Sequence, residues 1–147
     1  MAKICLITGG ARGIGFECAK LAAADGWDVA ITYREQAAAA DGTVAAIKAI
    51  GRRAMVVRAD VGHAAEVVEA FVAVDKAFGP VAGLVNNAGI AFNNRVEALA
   101  DADLRRMFEV NVLGLMACCR EATKRMSTRH GGAGGSVVNI SSMAATI

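Results

Sequence analysis

Short apolar runs alternate along the whole chain with longer stretches whose apolar residues recur at three and four. The short runs predict strands. They are residues 3–8, centred on Ile4-Cys5-Leu6-Ile7, then Asp28-Val29-Ala30-Ile31-Thr32-Tyr33, then 54–59, then Val81 to Val85, and last Val137-Val138-Asn139-Ile140. The longer stretches predict helices. The first covers 14–25, with Ile14, Cys18 and Leu21 on one face and Gly26 near its end. The second, 35–50, is alanine-rich, a good helix former, and is closed by Gly51. The third, 64–78, keeps Val67, Val68, Phe71 and Val74 in register and stops at Gly79-Pro80. After a loop from Ile90 to Ala100, a long helix over 101–129 carries Leu104, Phe108, Val112, Leu115 and Cys119, and the glycine-rich run 131–135 ends it.

Strands alternating with helices of this length imply right-handed crossovers and a parallel sheet covered on both faces. The expected fold is therefore α/β, a doubly wound, Rossmann-type parallel sheet with five strands, in a single domain over 1–147. The composition fits that reading. Hydrophobic residues make up 55% and mean hydropathy is +0.41, which suits strands buried on both faces. No stretch reaches the roughly 20 apolar residues of a membrane span. The four apolar residues after Lys3 are too few for an export signal. A net charge of +2 without a basic block, and few aromatic residues, gives no sign of nucleic-acid binding. Cys5, Cys18 and the adjacent Cys118-Cys119 match no zinc spacing, and reduced, mostly buried thiols of a cytoplasmic protein are expected. His63 and His130 fall at helix ends and are not read as ligands.

The chemistry gathers where strands end. Thr8-Gly9-Gly10-Ala11-Arg12-Gly13-Ile14-Gly15 joins the first strand to the first helix. Glycines there allow close backbone approach and tight turning. Backbone N–H groups with a helix dipole behind them attract an anion such as pyrophosphate. The spacing is Gly-x-x-x-Gly-x-Gly, not the usual Gly-x-Gly-x-x-Gly. In doubly wound sheets the ligand lies at the carboxyl ends of the strands. Those ends carry Tyr33-Arg34, Asp60-Val61, Asn86-Asn87-Ala88-Gly89 and Ser141-Ser142, a set of donors, acceptors and glycine suited to a nucleotide.

With these segments in order, the chain resembles the N-terminal part of a short-chain dehydrogenase/reductase from about residue 3 to 146. The turn at Thr8–Gly15 matches the family's Thr-Gly-x-x-x-Gly-x-Gly, and Asn86-Asn-Ala-Gly89 its Asn-Asn-Ala-Gly. Asn111-Val-Leu-Gly114 matches its Asn-x-x-Gly, and Asn139-Ile-Ser-Ser142 the segment ending in the catalytic serine. The resemblance implies hydride transfer between a nicotinamide cofactor and a carbonyl or alcohol substrate. It implies that Gly9, Arg12, Gly13, Ile14 and Gly15 line the pyrophosphate and adenosine side. Asp60 and Val61 would hold the adenine, and Asn86, Asn87, Ala88 and Gly89 the ribose region and fourth strand end. Asn111 would support a proton relay by kinking its helix, and Ser142 would bond the substrate oxygen. The long helix near 101 would take part in a dimer interface, so a homo-oligomer is implied for the complete protein.

Charge argues for the cofactor. An acid at the end of the second strand binds a ribose 2′-hydroxyl, whereas arginine accommodates a 2′-phosphate. The acid's place falls on Tyr33, followed by Arg34, with Arg12 within reach, so NADP(H) is expected over NAD(H). Glu35 is read as a first-turn residue of the next helix, serving its dipole. Phe92, Asn93 and Asn94 are candidates for the substrate side.

One departure stands out. The family's general acid/base is a tyrosine with a lysine four residues on, and the sole tyrosine here is Tyr33, at the adenosine side. The sequence therefore reads as truncated before a Tyr-x-x-x-Lys segment, with Met143 to Ile147 as a loop leading onward. Alone, these residues are expected to be inactive and poorly soluble. The alternative is a nucleotide-binding or partner-binding module without catalysis.

Overall fold

The computed structural model describes residues 2–142, so the Met143–Ile147 segment lies outside the described residues. Five strands, β1 (Ile4–Ile7), β2 (Asp28–Tyr33), β3 (Ala54–Arg58), β4 (Gly83–Asn86) and β5 (Ser136–Asn139), form one parallel sheet in the order β3-β2-β1-β4-β5. Helices α1 (Gly13–Ala24), α2 (Ala37–Ala49) and α3 (Ala64–Ala77) make the first crossovers. Between β4 and β5 lie α4 (Asp101–Phe108), a π-helical segment at Glu109–Gly114, and α5 (Leu115–Met126). The chain winds outward from β1 to β3 and then returns to place β4 on the other side of β1. That reversal opens a crevice at the carboxyl ends of β1 and β4.

Successive residues of β1 serve opposite faces, as the pleat requires. Cys5 and Ile7 pack with Ala19, Ala23, Ala40 and Ile47 under α1 and α2. Ile4 and Leu6 pack with Val67, Phe71, Val74 and Ala122 under α3 and α5. Both faces of β1 are buried, which explains its continuous apolar run. Cys5 and Cys118 are buried, and burial pushes both thiols up to about 12, with smaller contributions from neighbouring charge. All four cysteines are free. No helix among the described residues is long and apolar enough to cross a membrane.

Two helix readings need correction. In α1, Ile14 and Leu21 are 60% and 69% exposed, and the buried face is Gly15, Ala19 and Ala23. The helix lies so close over β1 that only small residues fit beneath it. The expected helix over 101–129 is unbroken from Asp101 to Met126 but carries a π-helical segment at Glu109–Gly114, which rotates everything after it. Spacing read across that turn selects the wrong face. Leu104, Phe108 and Val112 lie exposed, while Val110, Ala117, Cys118, Ala122 and Met126 build the core. The helix also stops at Met126, and Thr128–His130 is a single 3-10 turn.

Candidate active site

The turn after β1 is locked to the end of β4. Thr8 Oγ1 accepts the backbone N–H groups of Asn87 and Ala88, each at 3.0 Å. The Asn87 side-chain amide donates to the carbonyls of Thr8 and Gly9 at 3.1 and 3.0 Å. Gly9 and Gly10 N–H groups bond Thr32 at the end of β2, at 3.3 and 3.1 Å. Three strand ends therefore meet in one knot. Glycine is required inside it: a Cβ at Gly15 would overlap the Gly9 carbonyl and stand 2.5 Å from Asn87 Nδ2. Gly13 is different. Its φ is +55° and a Cβ there would meet nothing within 4 Å, so it leaves the helix N-terminus open toward the crevice. The first N–H groups of α1 lack intrahelical partners, no acid occupies the first turn, and Arg12 is the residue that leads in.

The crevice is a cleft of about 410 Å³. It gathers Gly9, Arg12, Gly13 and Ile14 from the turn, Tyr33 and Arg34 from β2, Asp60 and Val61 from β3, and Asn87, Ala88 and Gly89 from β4. Four of the proposed site residues stand outside that lining. Gly15 lies behind the turn, as its contacts require. Asn86 is buried and turned from the cleft: its amide donates to Asn139 Oδ1 at 2.9 Å and to Cys119 Sγ at 3.3 Å, tying β4 to β5 and α5. Asn111 sits in the π segment and pairs with the Ile90 backbone in both directions, accepting its N–H at 2.9 Å and donating to its carbonyl at 2.8 Å. Ser142 follows β5 at the same end of the sheet and is exposed.

Electrostatics differ from the sequence reading in one place. Helix α2 begins at Ala37 with no acid in its first turn, so Glu35 is not serving its dipole. Glu35 instead pairs with Arg34 at 2.7 Å, and both side chains are solvent-accessible. At the far end of the cleft is a residue that spacing did not reveal. Arg106, from α4, pairs with the Asp60 carboxylate and lines the cleft beside it. Gly62 makes room, since a Cβ there would overlap the Arg106 guanidinium. Gly114, at the end of the π segment, lets that helix approach the backbone after β3, since a Cβ there would lie 2.5 Å from the Val61 carbonyl. The glycine of Asn111-Val-Leu-Gly114 was legible; the arginine was not, because its partner is 46 residues away.

The family model for short chain dehydrogenases matches residues 3–147. The chain belongs to the short-chain dehydrogenase family. It is 43% identical over 145 residues to the uncharacterized oxidoreductase YgfF of Escherichia coli (strain K12), covering 98% of this chain and 59% of that protein. It is 33% identical over 147 residues to the 3-oxoacyl-[acyl-carrier-protein] reductase FabG of Staphylococcus aureus (strain Mu50), covering 100% of this chain and 58% of that one. Among solved structures, a short chain dehydrogenase from Burkholderia cenocepacia J2315 in complex with NADP is 42% identical, with a TM-score of 0.89 over 98% of this chain and 57% of that chain. The chain thus spans under three fifths of the length of these short-chain dehydrogenases.

Proposed function

We propose that the protein is an NADP(H)-dependent oxidoreductase that moves hydride between nicotinamide and a carbonyl or alcohol carbon. The cleft is the observation that carries this reading: an open, acid-free helix N-terminus faces it, with Arg12 and Arg34 on the side where a 2′-phosphate would lie. The glycine cradle fits a pyrophosphate, because Gly13 keeps side-chain atoms out of its approach. The Burkholderia relative that carries NADP supports the same assignment. When bound, the dinucleotide supplies or accepts the hydride.

The chain's own residues hold it and prepare the site. Gly9, Gly13 and the first N–H groups of α1 receive the pyrophosphate. Arg34 exchanges its exposed partner Glu35 for the 2′-phosphate, and a planar guanidinium suits that group. Asp60 and Val61 receive the adenine. Asn111 fixes the chain just after Asn86–Gly89 through the Ile90 backbone, and we assign it the relay role from its place in the π segment. Ser142 bonds the substrate oxygen. Tyr33 lines the cleft on β2, three strands from β5 and Ser142, so we assign the general acid/base to none of these residues. A small-molecule carbonyl or alcohol is the substrate class, and a cytoplasmic setting suits the free thiols.

Titration of the full-length protein with NADPH and NADH tests the cofactor. Arg34→Ala is expected to weaken NADPH by about tenfold or more, the worth of one charge-assisted pair, and to leave NADH within about twofold on the same scale. Equal losses would contradict the assignment.

A further inference from the structure

We infer that Arg106 is a positioning residue for adenine: it holds the Asp60 carboxylate as an acceptor for the exocyclic amino group. The inference rests on the reading of the cleft as a dinucleotide site. Asp60 Oδ1 accepts the Gly62 N–H at 2.9 Å, and Oδ2 is paired with Arg106 Nη2. A carboxylate has about four acceptor positions, so two bonds fix its plane and leave acceptor capacity on a group that lines the cleft with Arg106. Arg106 is itself held, through Glu109 Oε2 at 3.4 Å. Both members of the pair are largely buried, at 22% and 14% side-chain exposure, so the geometry is not that of a mobile surface ion pair. The room for it is built in, since Gly62 is the residue whose side chain would displace the guanidinium.

A fixed acceptor reads an amino group and rejects a carbonyl. The discriminating probe is the NADPH analogue with hypoxanthine in place of adenine, whose ring presents an oxygen where adenine presents NH₂. Dissociation constants for NADPH and the analogue, measured by fluorescence titration of the full-length protein, should differ by about tenfold or more in the wild type, as one hydrogen bond to a charged group is worth. Arg106→Met is expected to bring that ratio to within about twofold, while Arg106→Lys, which keeps a cationic donor, retains part of it. Gly62→Ala, which crowds the guanidinium without removing it, should lower the ratio in the same direction and serves if Arg106→Met does not fold. A ratio unchanged in a folded variant of either site overturns the role of Arg106. A wild type that binds both dinucleotides equally overturns it too, while leaving the cofactor reading intact. A wild type that binds neither overturns the cofactor reading itself.

Discussion

Asp28 sits at the foot of β2 with its side chain 4% exposed and both carboxylate oxygens occupied. Oδ1 accepts Arg52 Nη2 at 2.6 Å and the Arg53 backbone N–H at 3.2 Å, while Oδ2 accepts Arg53 Nε at 2.7 Å. Burial pushes this carboxyl upward, but the hydrogen bonds and charge of Arg53, with Arg52 behind them, outweigh it and hold the group below the ordinary carboxylate value. A depressed carboxylate contributes stability that is present above its unfolded value of about 3.9 and disappears as pH falls through the folded value. Asp28→Asn should therefore lower stability at neutral pH and flatten the decline of the denaturation midpoint below about pH 4. An acid limb as steep as in the wild type would contradict this role. The residues of the cleft divide by the range of their reasons. Gly9, Gly13 and Gly15 were legible because a turn's demand for glycine is local. The Asp60–Arg106 pair was not, because its partners lie 46 residues apart and are brought together by packing rather than by spacing.

At the scale of elements, β1 and β2 were legible because burial on both faces leaves unbroken apolar runs, while β3 and the exposed β5 were legible from their β-branched residues and flanking glycines. The helix faces were harder. Small residues form the buried side of α1, and hydropathy gives glycine and alanine little weight beside Ile14 and Leu21. The π turn at Glu109–Gly114 hid the true face of the next helix, although Asn111 within it was expected to kink the chain. Three of the five spaced positions, Leu104, Phe108 and Val112, turn out to face away from the core. Leu104, Phe108, Val112, Leu113 and Met116 stand exposed on α4, the π segment and α5. We propose that a second copy of the chain covers these exposed apolar residues in the complete protein. Phe108, at 63% exposure, contributes nothing to the core, so Phe108→Asp should leave the fold intact. Sedimentation velocity of the full-length protein is expected to show the wild type as an oligomer and this variant as a smaller species. An unchanged coefficient would remove the patch from the interface.

For the molecule as a whole, alternation of strand and helix was enough to give a doubly wound sheet, and the order β3-β2-β1-β4-β5 bears it out. The topology decides where the dinucleotide cleft lies, because the reversal at β1 opens a crevice at the carboxyl ends. Thr8 and Asn87 knot that crevice together, while α4 reaches over it from the other side through Arg106. A dinucleotide lying there would touch segments far apart in sequence at the same moment. Hydrogen exchange of the full-length protein with and without saturating NADPH tests this directly. Slower exchange is expected together in 9–15, 33–36, 60–62 and 87–90, with the far ends of the strands unchanged. Protection confined to other segments, or none at saturation, would contradict the account.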